Sequence, residues 1–288
     1  MLGFVNVYKP AGMTSSRVVT TIKKKFHIDK IGHMGTLDPI AEGVLPLAIG
    51  KATRMFDYFL SKVKTYVVTF EFGYTTDTLD SAGVKTEESD VMPSIDKVLS
   101  SIKLMCGKSM QLPPKYSAKK VNGAKAYDLA RAGIDFELKP KEIDISRFEL
   151  LEHKGKQFSF VIECSSGTYI RAIGRDLADL IGTPVCMVKL VRVESGIFNT
   201  NNSISLDDLL NLDRIDGCVM PVEDIFPSFN VVKVSDKESK LLLNGRNVPE
   251  KDSMLNHTFV FNKDDLLGVS KMGNKALFLD THLRCEND

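Results

Sequence analysis

The sequence predicts a large domain that mixes helices with strands, followed by a small β-barrel-like module. Three observations carry this. Val18, Ile22 and Phe26 recur at helical spacing directly after a β-rich start, and Tyr66, Val68, Phe70 and Phe72 fall on every second residue, the period of a strand. Beyond Pro227 the pattern changes to short β-type runs around one short helix, the composition of a small barrel. A chain of 288 residues, 43% hydrophobic and 26% charged, suits one large domain plus one small one and excludes disordered and fibrous classes.

In chain order, Leu2 to Tyr8 reads as the first strand and Lys9-Pro10-Ala11-Gly12 as the turn that ends it. Thr14 or Ser15 can cap the helix that follows. Between Lys9 and Lys30 stand six basic residues against Asp29 alone, so that helix has a core side and a basic side. Thr53 to Leu60 reads as a short helix, and Lys64 to Tyr74 as a strand with Tyr66 at the start of its apolar face. Asp77 to Asp90 is polar and turn-like, with no sign of chemistry. Ser94 to Cys106 is predicted helical, with Ile95, Val98, Leu99 and Ile102 in register.

Lys141 to Leu151 and Gln157 to Cys164 read as a strand pair, and Val185 to Phe198 as the last strand of the large domain. Between them, Cys164 to Arg171 runs from a strand end through a Ser/Gly turn into a helix. Thr168 or Ser166 is its expected cap, Ile173, Leu177 and Leu180 its core face, and Arg175 a surface residue. Arg171 falls on the first turn, where a cation opposes the helix dipole and calls for an anionic partner. Ser205 to Leu210 reads as a short helix and Pro221 to Pro227 as a linker. The remaining 60 residues hold a helix near Lys237 to Leu243 and three or four strands, with nine basic residues against nine acidic. Residues 1–228 and 229–288 are therefore the expected domains.

Ile31 to Arg54 is the stretch that reads as a site. Gly32, Gly35, Gly43 and Gly50, with Pro39 and Pro46, surround one aspartate, Asp38. Pro39 pushes Asp38 out of the helical region, and the apolar run Val44 to Ile49 anchors the loop in the core. A solvated turn needs no such anchor, whereas a carboxylate with a chemical role does. Residues 112–133 form a second distinctive stretch. From Pro113 to Arg131 it carries Lys115, Lys119, Lys120, Lys125 and Arg131 against Asp128, with Tyr116 and Tyr127 interleaved. Cations for phosphates and rings for unpaired bases suit an RNA strand, although a solvated insertion has the same composition.

The formal net charge of +1 gives no global bias toward polyanions, so binding must come from such local clusters. Cys106, Cys164, Cys186, Cys218 and Cys285 are scattered and never form a CxxC pair, which argues against a disulfide framework and for reduced, buried thiols. No nucleotide-binding loop and no His/Cys ligand spacing occurs. No signal peptide or membrane-length apolar run is visible, and a cytoplasmic protein is expected.

The segments GHMGTLDPIAEGVLP, the strand with Tyr66, PPKYSAKK, SSGTYIRAIGRDL and LVRVESGIF resemble, in order, those of the TruB family, the bacterial tRNA pseudouridine synthases that act on the TΨC loop. The likeness spans most of the chain, and the last 60 residues resemble that family's PUA-type RNA-binding domain more loosely. The resemblance implies an α+β catalytic domain on a mixed, largely antiparallel sheet with a central RNA cleft. It implies isomerisation of the uridine at tRNA position 55 to pseudouridine by base flipping, without cofactor or metal, and tRNA as the partner of a monomer that needs no protein partner. By position, Asp38 matches the catalytic aspartate, Tyr66 the active-site tyrosine and Arg171 the arginine that pairs with the aspartate. His33 matches the residue that fills the place of the flipped base, and Tyr169 and Leu190 match positions lining the uracil pocket. Lys9, Lys119 and Lys120 are candidate phosphate contacts. Met34, Glu42, Val191 and Glu194 depart from the family's usual residues, with the catalytic set intact. Two other readings stay open at this level. One is a tRNA-binding or tRNA-folding module with incidental catalysis, the other a magnesium-dependent phosphotransferase using Asp38 as nucleophile.

Overall fold

In the computed structural model, residues 1–60, 63–117, 119–121, 123–227, 229–249, 257–270 and 276–284 are described. The strands of the large domain that matter here are β1 (Gly3–Lys9), β2 (Ile31–His33), β3 (Glu42–Ile49), β4 (Lys64–Phe72), β5 (Gly107–Gln111), β6 (Lys141–Lys154), β7 (Gln157–Cys164), β8 (Val185–Ser195) and β9 (Ile204–Ser205). The helices that matter here are α1 (Ser15–Lys25), α2 (Ile95–Leu104), α3 (Ala126–Arg131) and α4 (Ile170–Ile181).

These strands join in one sheet, in the order β9-β1-β3-β8-β4-β7-β6-β5, with β2 added on β3 and the short strand Phe198–Asn199 on β8. Pairing is parallel at β1–β9 and β3–β8 and antiparallel elsewhere in the sheet. The expected α+β architecture on a mixed, largely antiparallel sheet is therefore present. At the β3–β8 crossing, Gly43 has φ +106°, and a Cβ there would lie 2.3 Å from the Arg192 carbonyl oxygen. Only glycine lets β8 come this close to the strand that leaves the Asp38 loop.

Alternation on β4 puts Tyr66, Val68, Phe70 and Phe72 on the buried face, against α1, α2 and α4 in one apolar cluster. Thr14 caps α1 by accepting the Arg17 N–H, and Ser15, Val18 and Ile22 are its buried residues. On α4 the buried face is Ile170, Ile173, Gly174, Leu177 and Ile181, whereas Leu180, expected inside, is 47% exposed. Neither Thr168 nor Ser166 caps α4. The cap residue is Tyr169, whose backbone groups are held from elsewhere. Cys164 and Cys186 are buried free thiols, Cys218 is half-buried and Cys106 is exposed, contrary to the expectation for all of them; Cys285 lies outside the described residues.

The segment read as a linker is a packed element. Val222–Ile225 is a helical turn, and Val222, Ile225 and Phe226 are buried with Phe4, Tyr58, Phe198 and Phe259. Beyond it stand β10 (Asn230–Lys233), α5 (Asp236–Leu243), β11 (Thr258–Asn262), β12 (Asp265–Ser270) and β13 (Thr281–His282), with the sheet order β10-β11-β12-β13. Ser235 and Glu238 form a capping box on α5. The module shares its apolar cluster with the large domain through Tyr58 and Phe226, and Arg54 donates to the His282 carbonyl at 2.7 Å. No helix among the described residues is long and apolar enough to cross a membrane.

Candidate active site

Asp38 sits on the loop between β2 and β3, which is fixed from three sides. On α1, the buried Ser15 hydroxyl accepts the Leu37 N–H at 2.9 Å and donates to the Leu37 carbonyl at 3.0 Å. On β8, Arg192 donates to the carbonyls of Val44 at 2.7 Å and Gly35 at 3.1 Å. On β1, Lys9 donates to Met13, Pro10 and Pro39 carbonyls at 2.6, 2.8 and 3.4 Å. The loop's own carbonyls are thus gathered by buried cations, and Asp38 is left at the surface of this scaffold with 30% of its side chain exposed.

Lys9 was expected to meet a phosphate, but it is fully buried and its ammonium faces backbone oxygens. The reason is chain geometry: the turn at Pro10 wraps the loop over the end of β1 and closes it off from solvent. Burial pushes the Lys9 amine down to about 8. The unfolded chain, with an ordinary lysine near 10.5, binds that proton more tightly between these values, so stability rises as pH increases from about 8 toward 10.5. Lys9→Met is expected to flatten that slope in denaturant unfolding, to destabilise the fold by about 1–3 kcal/mol through orphaned carbonyls, and to leave RNA affinity unchanged.

Arg171, on the first turn of α4, meets the carboxylate side-on. Its Nε donates to Asp38 Oδ2 at 2.8 Å and an amino group to Oδ1 at 3.0 Å, a bidentate pair between residues 133 positions apart. The guanidinium is 6% exposed and also donates to the carbonyls of Thr78 and Tyr116 at 3.0 and 3.1 Å. It is therefore fixed in orientation, and it fixes Asp38.

A second carboxylate stands behind the first. Asp80 Oδ2 is 3.6 Å from Arg171 Nε, with its side chain 8% exposed. Its other oxygen accepts the Thr78 hydroxyl at 2.7 Å and the Ala82 N–H at 3.1 Å. Sequence reasoning missed it because Asp77 to Asp90 has the composition of a surface turn. Leu79, at φ +65°, is the signal of its tight geometry, and no sequence pattern announces a leucine there. Arg192 was missed likewise, since it looks like an ordinary strand residue.

Tyr66, on β4, is opposite Ile162 on β7 and Arg192 on β8, and packs in the same apolar cluster as Leu37 and Leu190. Burial pushes its phenol up to about 12, so it is neutral at physiological pH. Leu190 is buried and Tyr169 half-buried at the same end of the sheet. His33 ends β2, and burial with the nearby Arg192 lowers its basicity. Its Nδ1 is buried without a hydrogen-bond partner. A neutral, half-buried ring suits stacking better than acid-base work. Lys120 is exposed and Lys119 half-exposed on the 112–133 insertion, where Lys119 donates to the Lys139 carbonyl at 3.0 Å. In the same insertion, Lys125 and Arg131 flank the Tyr127 ring at 5.4 and 5.7 Å.

The arrangement is a cation-held, partly exposed carboxylate within electrostatic reach of the Tyr66 and Tyr169 phenols. Residues 23–170 match the model of the TruB family pseudouridylate synthase N-terminal domain. Over 97% of its length the chain is 38% identical to tRNA pseudouridine synthase B of Clostridium novyi, covering 99% of that protein. The chain belongs to the TruB family. A Clostridium acetobutylicum tRNA pseudouridine synthase B is 39% identical over 87% of the chain and 86% of that relative. Among solved structures, a chain of a Cbf5-Nop10-Gar1 complex superposes with a TM-score of 0.73 at 25% identity, over 99% of this chain and 86% of that one. As a TruB-family member this enzyme is a pseudouridylate synthase, an isomerase acting on uridine in RNA. The matched family segment contains Asp38 and ends one residue before Arg171, which lies within the aligned length of the Clostridium novyi relative.

Proposed function

We propose that this enzyme converts the uridine at position 55, in the TΨC loop of tRNA, to pseudouridine, with Asp38, Tyr66 and Arg171 as its catalytic set. The observation that carries the reading is the bidentate Asp38–Arg171 pair, with the Tyr66 and Tyr169 phenols within electrostatic reach of the carboxylate. In the reaction the C1'–N1 bond breaks, the uracil turns, and C5 bonds to C1'. The C5 proton is lost and N1 gains one, so the product is an isomer. Positive charge develops at C1' as the bond breaks, and an ionised, aimed carboxylate meets that charge. Arg171 orients Asp38 through the bidentate pair, and Tyr66 offers a neutral ring for the detached base. The target base leaves its stack at a cost of a few kcal/mol, and His33 fills the space it vacates. Lys119 and Lys120 hold the RNA backbone through phosphates.

Residues 1–228 act as the catalytic domain, with the 112–133 insertion gripping RNA, and residues 229–288 as a PUA-type RNA-binding domain. The relatives' names and the basic insertion support tRNA as the substrate, and a cytoplasmic monomer is part of the proposal. The test is tritium release from a T-arm stem-loop labelled at uridine C5. Stoichiometric release to water is expected; none would overturn the proposal.

A further inference from the structure

Catalytic geometry here depends on two loops meeting, and each is pinned in the same way one or two residues before its catalytic side chain. Leu37, before Asp38, has its N–H and its carbonyl held by the single buried hydroxyl of Ser15. Tyr169, two residues before Arg171, has both backbone groups held by the single carboxamide of Gln111. Gln111 Oε1 accepts the Tyr169 N–H at 2.9 Å and Gln111 Nε2 donates to the Tyr169 carbonyl at 3.2 Å. The carboxamide thereby mimics a neighbouring strand, for a residue that caps α4 without any side-chain cap of its own. Gln111 is 2% exposed at the end of β5, the edge strand of the sheet, so its own position is fixed by pairing with β6.

We propose that Gln111 is a positioning residue for catalysis, holding Tyr169 against the uracil pocket and setting the register in which Arg171 meets Asp38. The inference rests on the proposed roles of Asp38, Tyr169 and Arg171. Further contacts agree with it. Gln111 is the last strand residue before the basic insertion, and the segment after it stays on α4: Arg175 donates to the Leu112 carbonyl at 2.9 Å and Arg171 to the Tyr116 carbonyl at 3.1 Å. The Tyr127 N–H, within the basic insertion, donates to the Ser117 carbonyl at 3.0 Å. One junction therefore carries the RNA-gripping insertion and sets the catalytic arginine. Removing the carboxamide acts on the second function, since the insertion's cations are untouched.

The test uses Gln111→Met, which keeps the volume and loses both hydrogen bonds to Tyr169 along with the one to Asp176. Single-turnover tritium release from the T-arm stem-loop is expected to slow about tenfold or more, the scale of one or two lost hydrogen bonds, with Kd for the RNA within about twofold of the parent. A parent-like rate, or a loss confined to Kd, would overturn the inference. Amide hydrogen exchange of the unsubstituted protein decides the matter even where the variant does not fold. The Tyr169 amide is expected to exchange more slowly than that of exposed Gly167 in the same turn, and equal exchange contradicts the assignment. Absence of tritium release by the parent itself would instead refute the functional reading on which this one stands.

Discussion

Asp38→Asn is expected to abolish pseudouridine formation, with single-turnover rates falling on the order of 10³-fold or more, while the Kd for tRNA changes less than about threefold. The substitution keeps the shape of the side chain and one acceptor for Arg171, so the loop held by Ser15, Arg192 and Lys9 has no reason to move. What is lost is the negative charge that meets C1'. Each factor of ten in rate corresponds to about 1.4 kcal/mol, so the carboxylate is assigned about 4 kcal/mol of transition-state stabilisation. Tritium release with RNA-binding isotherms on the same protein separates this from a failure to bind. Retained turnover in a well-folded variant would remove Asp38 from the chemistry.

Arg171 is the second position of large effect, in activity and in stability. Arg171→Lys keeps the charge but replaces a planar fork with a single ammonium, which cannot serve Asp38 bidentately while also reaching the carbonyls of Thr78 and Tyr116. Turnover is expected to fall about 100-fold, with folding largely preserved. Arg171→Met is more severe, because it leaves Asp38 and the buried Asp80 facing each other without the cation between them. Breaking a buried pair in this way costs about 3–5 kcal/mol, which urea unfolding reads directly. Adding Asp80→Asn to Arg171→Met is expected to recover part of that stability and none of the activity. If the pair of substitutions is simply additive, the two residues are not coupled.

The periodic elements were legible in the sequence because burial and period coincide. β4 shows its apolar face residue by residue, and α1 its core side at every fourth position. Failures occurred where one feature masked another. The prolines around Val222 to Phe226 suggested a linker, yet the three apolar residues between them are buried in the aromatic cluster. On α4 the apolar spacing allowed either Leu180 or Ile181 inside, and packing chose Ile181.

At the site, the residue types were readable and the distances were not. The position of Arg171 on a helix's first turn called for an anionic partner, and Asp38, pinned by the proline after it, is that partner. Asp80 was hidden, since a buried carboxylate in a polar turn has the same letters as an exposed one. Lys9 was misassigned because a lysine beside a basic helix reads as solvated until the loop's path across it is known. Gln111 carried no signal at all, because what it does depends on where a helix start lands 58 residues later.

On the proposed function, the Asp38 carboxylate drives isomerisation of one uridine in the T arm. The most direct test maps pseudouridine across a whole, unmodified tRNA transcript after incubation with the purified protein. A single new pseudouridine at position 55, absent with Asp38→Asn, is the predicted result. Pseudouridine elsewhere in the transcript, or an identical map from both proteins, would contradict it.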